Sequence, residues 1–412
     1  MNLQRQSNNI TSFLRLLAAV IWLVGIAYAQ PLTVRVSIMK ASALLQAQSE
    51  IAAGDKSMVA ALKRLRKDAD KVLKIAPPSV MEKSQVAASG DKHDYLSMGR
   101  YWWPDPNKPD GLPYIQRDGE TNPEAESIPD HDNLGKLVKS VETLGLAYFF
   151  TGNEEYAEHA AKMLRVWFFH SETRMNPNLN FAQTAKGKPE GRASGMLDGR
   201  GFADLIDGVG LLAGSKAWTV EDQKKLVAWF TDYFNWMQTA KMALQEVESG
   251  NNHGVWVDVQ RTAIAIFVGK PDVARKIVNE SKSTRIAQQI EPDGTMPREL
   301  ARTRSMHYTA FNLEAFFTLA LLAEHVGVDL WDYQTDDGRG IRKALDWFYP
   351  YYIGESDWSF KQIDTFKKES FFPLFHLASI KFKNPKYADA GLKFGGEKAK
   401  TDRVHLMFGK QP

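Results

Sequence analysis

One corner occurs three times in this chain and constrains its fold more than any other feature. Phe150-Thr151-Gly152-Asn153 before Tyr156-Ala157, Phe267-Val268-Gly269-Lys270-Pro271 before Val273-Ala274, and Phe382-Lys383-Asn384-Pro385 before Tyr387-Ala388 fall at nearly equal intervals. Each joins two apolar runs of helical spacing, so the corners read as turns of repeated α-hairpins. The spacing predicts helices over 134–150 and 154–169, and long ones over 220–247 and 272–289, while strand-like alternation is sparse. A chain of 412 residues, 44% hydrophobic, can bury one large core. The expected fold is therefore all-α: an (α/α) toroid or barrel of six or seven helical hairpins forming a single domain over residues 30–412, with the functional loops gathered at one end.

Residues 1–29 read as a cleavable leader. Arg5 and Arg15 precede an apolar run from Leu16 to Ala27, and Ala27-Tyr28-Ala29 places small residues where a signal peptidase reads them. The run is too short to span a bilayer comfortably, so cleavage after Ala29 is expected, leaving no stable membrane anchor. A periplasmic or secreted protein follows. Removing two arginines lowers the formal charge of +3, so a polyanionic partner would be drawn by a local basic cleft. Without cysteine there is no disulfide framework, thiolate metal site or thiol nucleophile. Basic residues are interspersed with acids and no nucleic-acid motif is present, which argues against that partner class. Asp105 to Gly111 departs from a calcium loop in the place of its glycine, and no phosphate-cradling motif occurs, so neither metal nor cofactor is expected.

Two stretches carry candidate chemistry: Asn251-Asn252-His253-Gly254 and Arg302-Thr303-Arg304-Ser305-Met306-His307-Tyr308. Cleaving a uronic acid polymer without water requires removal of the C5 proton beside a carboxylate and expulsion of the C4 oxygen. Asn, His and Arg can neutralise that carboxylate, and a tyrosine whose pKa is lowered by neighbouring cations can take the proton and return one. Each residue also has a plainer reading. Asn252 suits the N-cap of a helix starting near Val255, His253 an ordinary loop histidine, and Tyr308 one more aromatic on a buried helix face.

These two stretches, together with His93-Asp94-Tyr95-Leu96-Ser97-Met98-Gly99-Arg100-Tyr101-Trp102-Trp103-Pro104 upstream, resemble the alginate lyase family of helical-toroid polysaccharide lyases over roughly Asp91 to Asp332. The resemblance implies a polysaccharide lyase acting on an acidic polysaccharide by β-elimination. It makes Asn252, His253 and Arg302 neutralising groups and Tyr308 the catalytic acid and base. Were the stretch a regular helix, Arg304 would share a face with Tyr308 and Arg302 would turn away; the resemblance favours Arg302. Tyr101, Trp102, His131, Arg200, Asn251, Arg304 and His307 are the substrate-binding candidates, the first two from a proline-rich aromatic loop over 91–132 expected to cover the cleft. Alginate is the family's usual polymer. Polyglucuronate, with the same syn relation of leaving groups as mannuronate, is the alternative, and for guluronate His253 would act as base with Tyr308 as acid.

A glycoside hydrolase on the same toroid is the rival, using two carboxylates from Asp198, Asp204 and Asp207 or from Glu291 and Asp293. A non-catalytic carbohydrate binder would need the aromatic loop but not Tyr308.

Overall fold

A computed structural model describes residues 34–410. The leader expected over residues 1–29 lies outside them. Helices dominate: α1 Ala41–Ala52, α2 Lys56–Val72, α3 Asp130–Thr151, α4 Glu154–Phe168, α5 Phe202–Gly210, α6 Val220–Met237, α7 Lys241–Val247, α8 Asn252–Phe267, α9 Pro271–Ser281, α10 Pro297–Leu300, α11 Ser305–His325, α12 Ile341–Ile353, α13 Phe372–Lys381, α14 Pro385–Ala399 and α15 Val404–Phe408.

Contacts pass from α3 to α5, α8, α11, α13 and α15, and return through α1 and α2 to α3. The helices therefore close a ring, the expected (α/α) toroid. The inner helices α8 and α11 are buried on most faces, whereas the outer α4 and α9 bury one. Inner neighbours approach closely where side chains vanish. A Cβ on Gly145 of α3 would lie 2.4 Å from the carbonyl oxygen of Gly208 on α5, so any larger residue there forces the two helices apart.

The three corners are equivalent in structure. Gly152, Gly269 and Lys383 each adopt left-handed φ between a pair of helices, at 67°, 76° and 48°. Asn153 and Asn384 then cap the following helix, each accepting from the backbone N–H two residues on.

Two of the long helices expected from the pattern are interrupted, and both interruptions serve the site. The run over 220–247 breaks into α6 and α7 at Ala240, whose backbone is extended; Thr239 Oγ satisfies the carbonyls of Asn235 and Trp236 at the break. The run over 272–289 widens into a π-helical turn over Lys282–Ile286. That turn carries Arg285 inward to Asp258 (2.8 Å) and to the carbonyls of Val247 (2.6 Å) and Ser249 (3.1 Å). The proline-rich stretch also contains more structure than a loop. β1 Leu96–Met98 pairs in parallel with β4 Phe181–Thr184, and β2 Trp102–Trp103 pairs antiparallel with β3 Ile115–Gln116.

Near the ring's closure, His376 of α13 is fully buried and its Nε2 lies 2.9 Å from the carbonyl oxygen of Gly409, just beyond α15. Burial lowers its pKa to about 3, with His405 adding to the effect. Its folded-state pKa lies below the unfolded value, so the stability it supports is complete above about pH 6.5 and drains as pH falls toward 3. The loss should approach about 1.4 kcal/mol per pH unit below 6.5. Urea unfolding at pH 7 and pH 5 should show this loss, and a His376→Gln variant should show a shallower one.

Candidate active site

The site is built around the first turn of α8. Asn251 is the N-cap, its side chain accepting from the His253 N–H at 3.0 Å, so the helix begins three residues earlier than Val255 and the cap is Asn251, not Asn252. Gly254 is required here by proximity. A Cβ would sit 2.1 Å from the Ser249 carbonyl and 2.7 Å from Arg285 Nη1. The glycine, the π-turn arginine and the preceding loop therefore lock together.

Asn252 departs from expectation. It is fully buried, and its backbone N–H and Nδ2 each donate at 2.7 Å to the two carboxylate oxygens of Glu299 on α10. Asn252 does not line the cleft, whereas Asn251 does. Glu299, which sequence reasoning missed, is 1% exposed and is held above the ordinary carboxylate range by burial, against its hydrogen bonds from Asn252. Replacing it by Gln would aim an amide N–H at one of those donors. Glu299→Gln should lower stability by about 2 kcal/mol in urea unfolding.

His253 has a partner that sequence reasoning also missed. Its Nδ1 lies 2.5 Å from Oε1 of Glu246, a buried residue on α7. A carboxylate so close requires a proton on Nδ1, which leaves Nε2 for the cleft. The break before α7 is what brings Glu246 there.

Across the cleft, Arg302-Thr303-Arg304 is not helical, because α11 starts only at Ser305. The segment turns and is pinned by a neighbouring strap: Ser305 N–H donates to the Lys361 carbonyl, and Ile363 N–H to the Thr303 carbonyl. Arg302 therefore does not turn away from Tyr308, as a regular helix would require. Its guanidinium lies over the Tyr308 ring, 3.8 Å from the centroid, and donates through Nε and Nη2 to Asp118. Burial of Asp118 opposes ionisation, but Arg302 and the Thr303 N–H outweigh it and hold the carboxyl at about 2.

Arg304 donates to the Tyr101 hydroxyl at 3.2 Å and pairs with Asp364 at 2.6 Å. Tyr308, 7% exposed, donates from its hydroxyl to the Tyr101 hydroxyl at 2.9 Å. Its pKa is not lowered, as the surrounding cations had suggested. Burial raises it, the Tyr101 hydroxyl adds to the rise, and Arg302, which lies on the ring face, offsets only part. His307 is pushed down to about 4 by burial and then by Arg304, so it is neutral at pH 7.

These groups share one cleft of about 530 Å³. Tyr101, Trp102, His131, Arg200, Asn251, His253, Arg302, Arg304, His307 and Tyr308 all line it. Of the expected site residues only Asn252 does not. Trp102 lies beneath the guanidinium of Arg192, 4.4 Å from its ring centroid, while Trp103 anchors its loop by donating to the Glu120 carbonyl. Among the described residues neither Arg192 nor Arg200 has a carboxylate within salt-bridge distance, and both line the cleft.

Four of the five hydrolase carboxylates are otherwise engaged. Asp198 accepts from Tyr95, Ser97 and Gln183, and Asp207 accepts the backbone N–H groups of Ser37, Ile38 and Met39. Glu291 pairs with Arg339, and Asp293 caps Thr295. Neither Asp204 nor Asp207 lines the cleft.

The alginate lyase family model matches residues 79–358, more than half of the chain. The chain belongs to the alginate lyase family. It is 42% identical to an alginate lyase from Bacteroides ovatus, covering 91% of this chain and 99% of that one at a TM-score of 0.86. Alginate lyase A1-III from Sphingomonas species A1 shares the fold at 17% identity and a TM-score of 0.55, covering 85% and 95%. A variant of A1-III complexed with tetrasaccharide does so at 16% identity and a TM-score of 0.62, covering 94% and 98%. No curated protein matches the chain. As a member of this family the protein is a polysaccharide lyase, and the toroid is the fold its solved relatives share.

Proposed function

We propose that this alginate lyase family member cleaves alginate by β-elimination, releasing oligosaccharides with unsaturated non-reducing ends. The observation that carries this reading is the Tyr308 hydroxyl in an arginine- and histidine-lined cleft. Arg302 covers its ring, and the cleft-facing nitrogen of His253 and the side chain of Asn251 share the same cavity. Arg302, His253 and Asn251 neutralise the uronate carboxylate, which makes the C5 proton removable. Tyr308 acts on that proton and returns one to the departing C4 oxygen. Arg192 and Arg200 take neighbouring carboxylates of a polyanionic chain, with Trp102 forming part of the wall.

The leader read in residues 1–29 supports export to the periplasm or beyond the cell, where such polymers are encountered.

Rates on polymannuronate, polyguluronate and polyglucuronate, followed by the ultraviolet absorbance of the new unsaturated end, test the substrate. Mannuronate should be the fastest. A glucuronate rate above both alginate blocks would replace alginate with polyglucuronate.

A further inference from the structure

Tyr308 donates its proton to Tyr101, and Arg304 donates a second hydrogen bond to the same Tyr101 oxygen, at 2.9 and 3.2 Å. A phenol oxygen that accepts from both neighbours has its own proton left for neither. Both tyrosines line the cleft, so that proton is available to a bound sugar. Arg304 cannot swing away freely, because Asp364 grips its other nitrogen at 2.6 Å and the strap over Lys361–Ile363 pins the backbone on either side.

We infer that Tyr101 is a second catalytic residue, forming with Tyr308 a two-tyrosine relay that carries the proton from C5 to the leaving oxygen. The inference rests on the β-elimination reading and deepens it. In the relay the C5–H bond breaks as its proton joins the Tyr308 oxygen, and the original Tyr308 proton passes to Tyr101. The original Tyr101 proton passes to the C4 oxygen. The electron pair released at C5 forms the C4–C5 double bond and the C4–O bond breaks, so the atoms balance and both tyrosines end protonated as they began. No free tyrosinate is needed. This resolves a conflict within the site, where burial favours the neutral form of the residue placed to act as base. The charged N–H of Arg304 on the Tyr101 oxygen stabilises negative charge that develops there mid-transfer.

The test is a Tyr101→Phe variant of the whole chain, assayed on the polymer that the wild type cleaves. Its kcat near pH 7.5 should fall about 100-fold with KM changed less than threefold. Without the relay, turnover requires ionised Tyr308, so the variant's kcat should climb close to tenfold per pH unit between pH 7.5 and 9.5, while the wild type stays nearly flat. A wall tyrosine would move KM and leave the pH profile unchanged, and that result would overturn the relay. A second measurement needs no variant. The rate of the wild type in mixtures of light and heavy water should curve with isotope fraction, as several protons in flight require, and a straight line would overturn the relay too. Absence of unsaturated product from the wild type on every polyuronate would instead overturn the elimination reading on which the relay stands.

Discussion

Tyr308→Phe should lower kcat on alginate at least about 1,000-fold while KM changes little and the fold is retained. The variant removes one oxygen. In the free enzyme that oxygen makes a single hydrogen bond, to Tyr101, at the edge of the cleft, so the lost stability should be no more than about 1 kcal/mol. The ring stays beneath Arg302, and the carboxylate-neutralising groups are untouched. Only the proton path is broken. A loss confined to kcat is the signature of an interaction made in the transition state, whereas a wall residue would raise KM. Steady-state kinetics with thermal unfolding as a control separate the two. A kcat within tenfold of wild type would remove Tyr308 from the chemistry.

Arg302→Ala should be nearly as damaging, and by a different route. Arg302 lies on the Tyr308 ring and ion-pairs with Asp118, so its loss removes positive charge next to the reacting carboxylate and leaves Asp118 without its partner. A drop in kcat/KM of about 100- to 1,000-fold is expected, comparable to the loss of one preorganised charge-stabilising donor. Asp118 then loses much of what holds its carboxyl near 2. Because its folded pKa lies below the unfolded value, the stability it supplies is present above about pH 4 and lost as pH falls toward 2. The variant should therefore lose less on acidification through that window than the wild type does. Arg302→Lys keeps the charge but not the fork to Asp118, and should recover only part of the rate.

Much of this was legible in the sequence, and the rest was hidden for physical reasons. The corners at Gly152, Gly269 and Lys383 depend on local backbone conformation and reported the hairpins directly. His253, Arg302, Arg304, His307 and Tyr308 were visible as residue types in two short stretches. Orientation was not. Whether Asn251 or Asn252 faces the cleft depends on where α8 starts, and a shift of one residue turns a helical side chain by about 100°. Glu246 and Glu299 were missed because an acid on a short helix looks like solvated surface until the fold buries it beside a histidine or an asparagine. A regular helix would have turned Arg302 away from Tyr308, but hydrogen bonds to the strap over Lys361–Ile363, distant in sequence, keep residues 302–304 out of α11, and Arg302 lies where the resemblance put it. The Tyr308 pKa was misjudged because charge is readable from neighbours in sequence, whereas burial is not.

The most direct measurement is mass spectrometry of the oligosaccharides released from polymannuronate. Elimination predicts non-reducing ends lighter by one water than those of a hydrolysate, formed by the wild type and abolished by Tyr308→Phe. Saturated ends carrying an added water, or unsaturated ends that persist in the variant, would contradict the account.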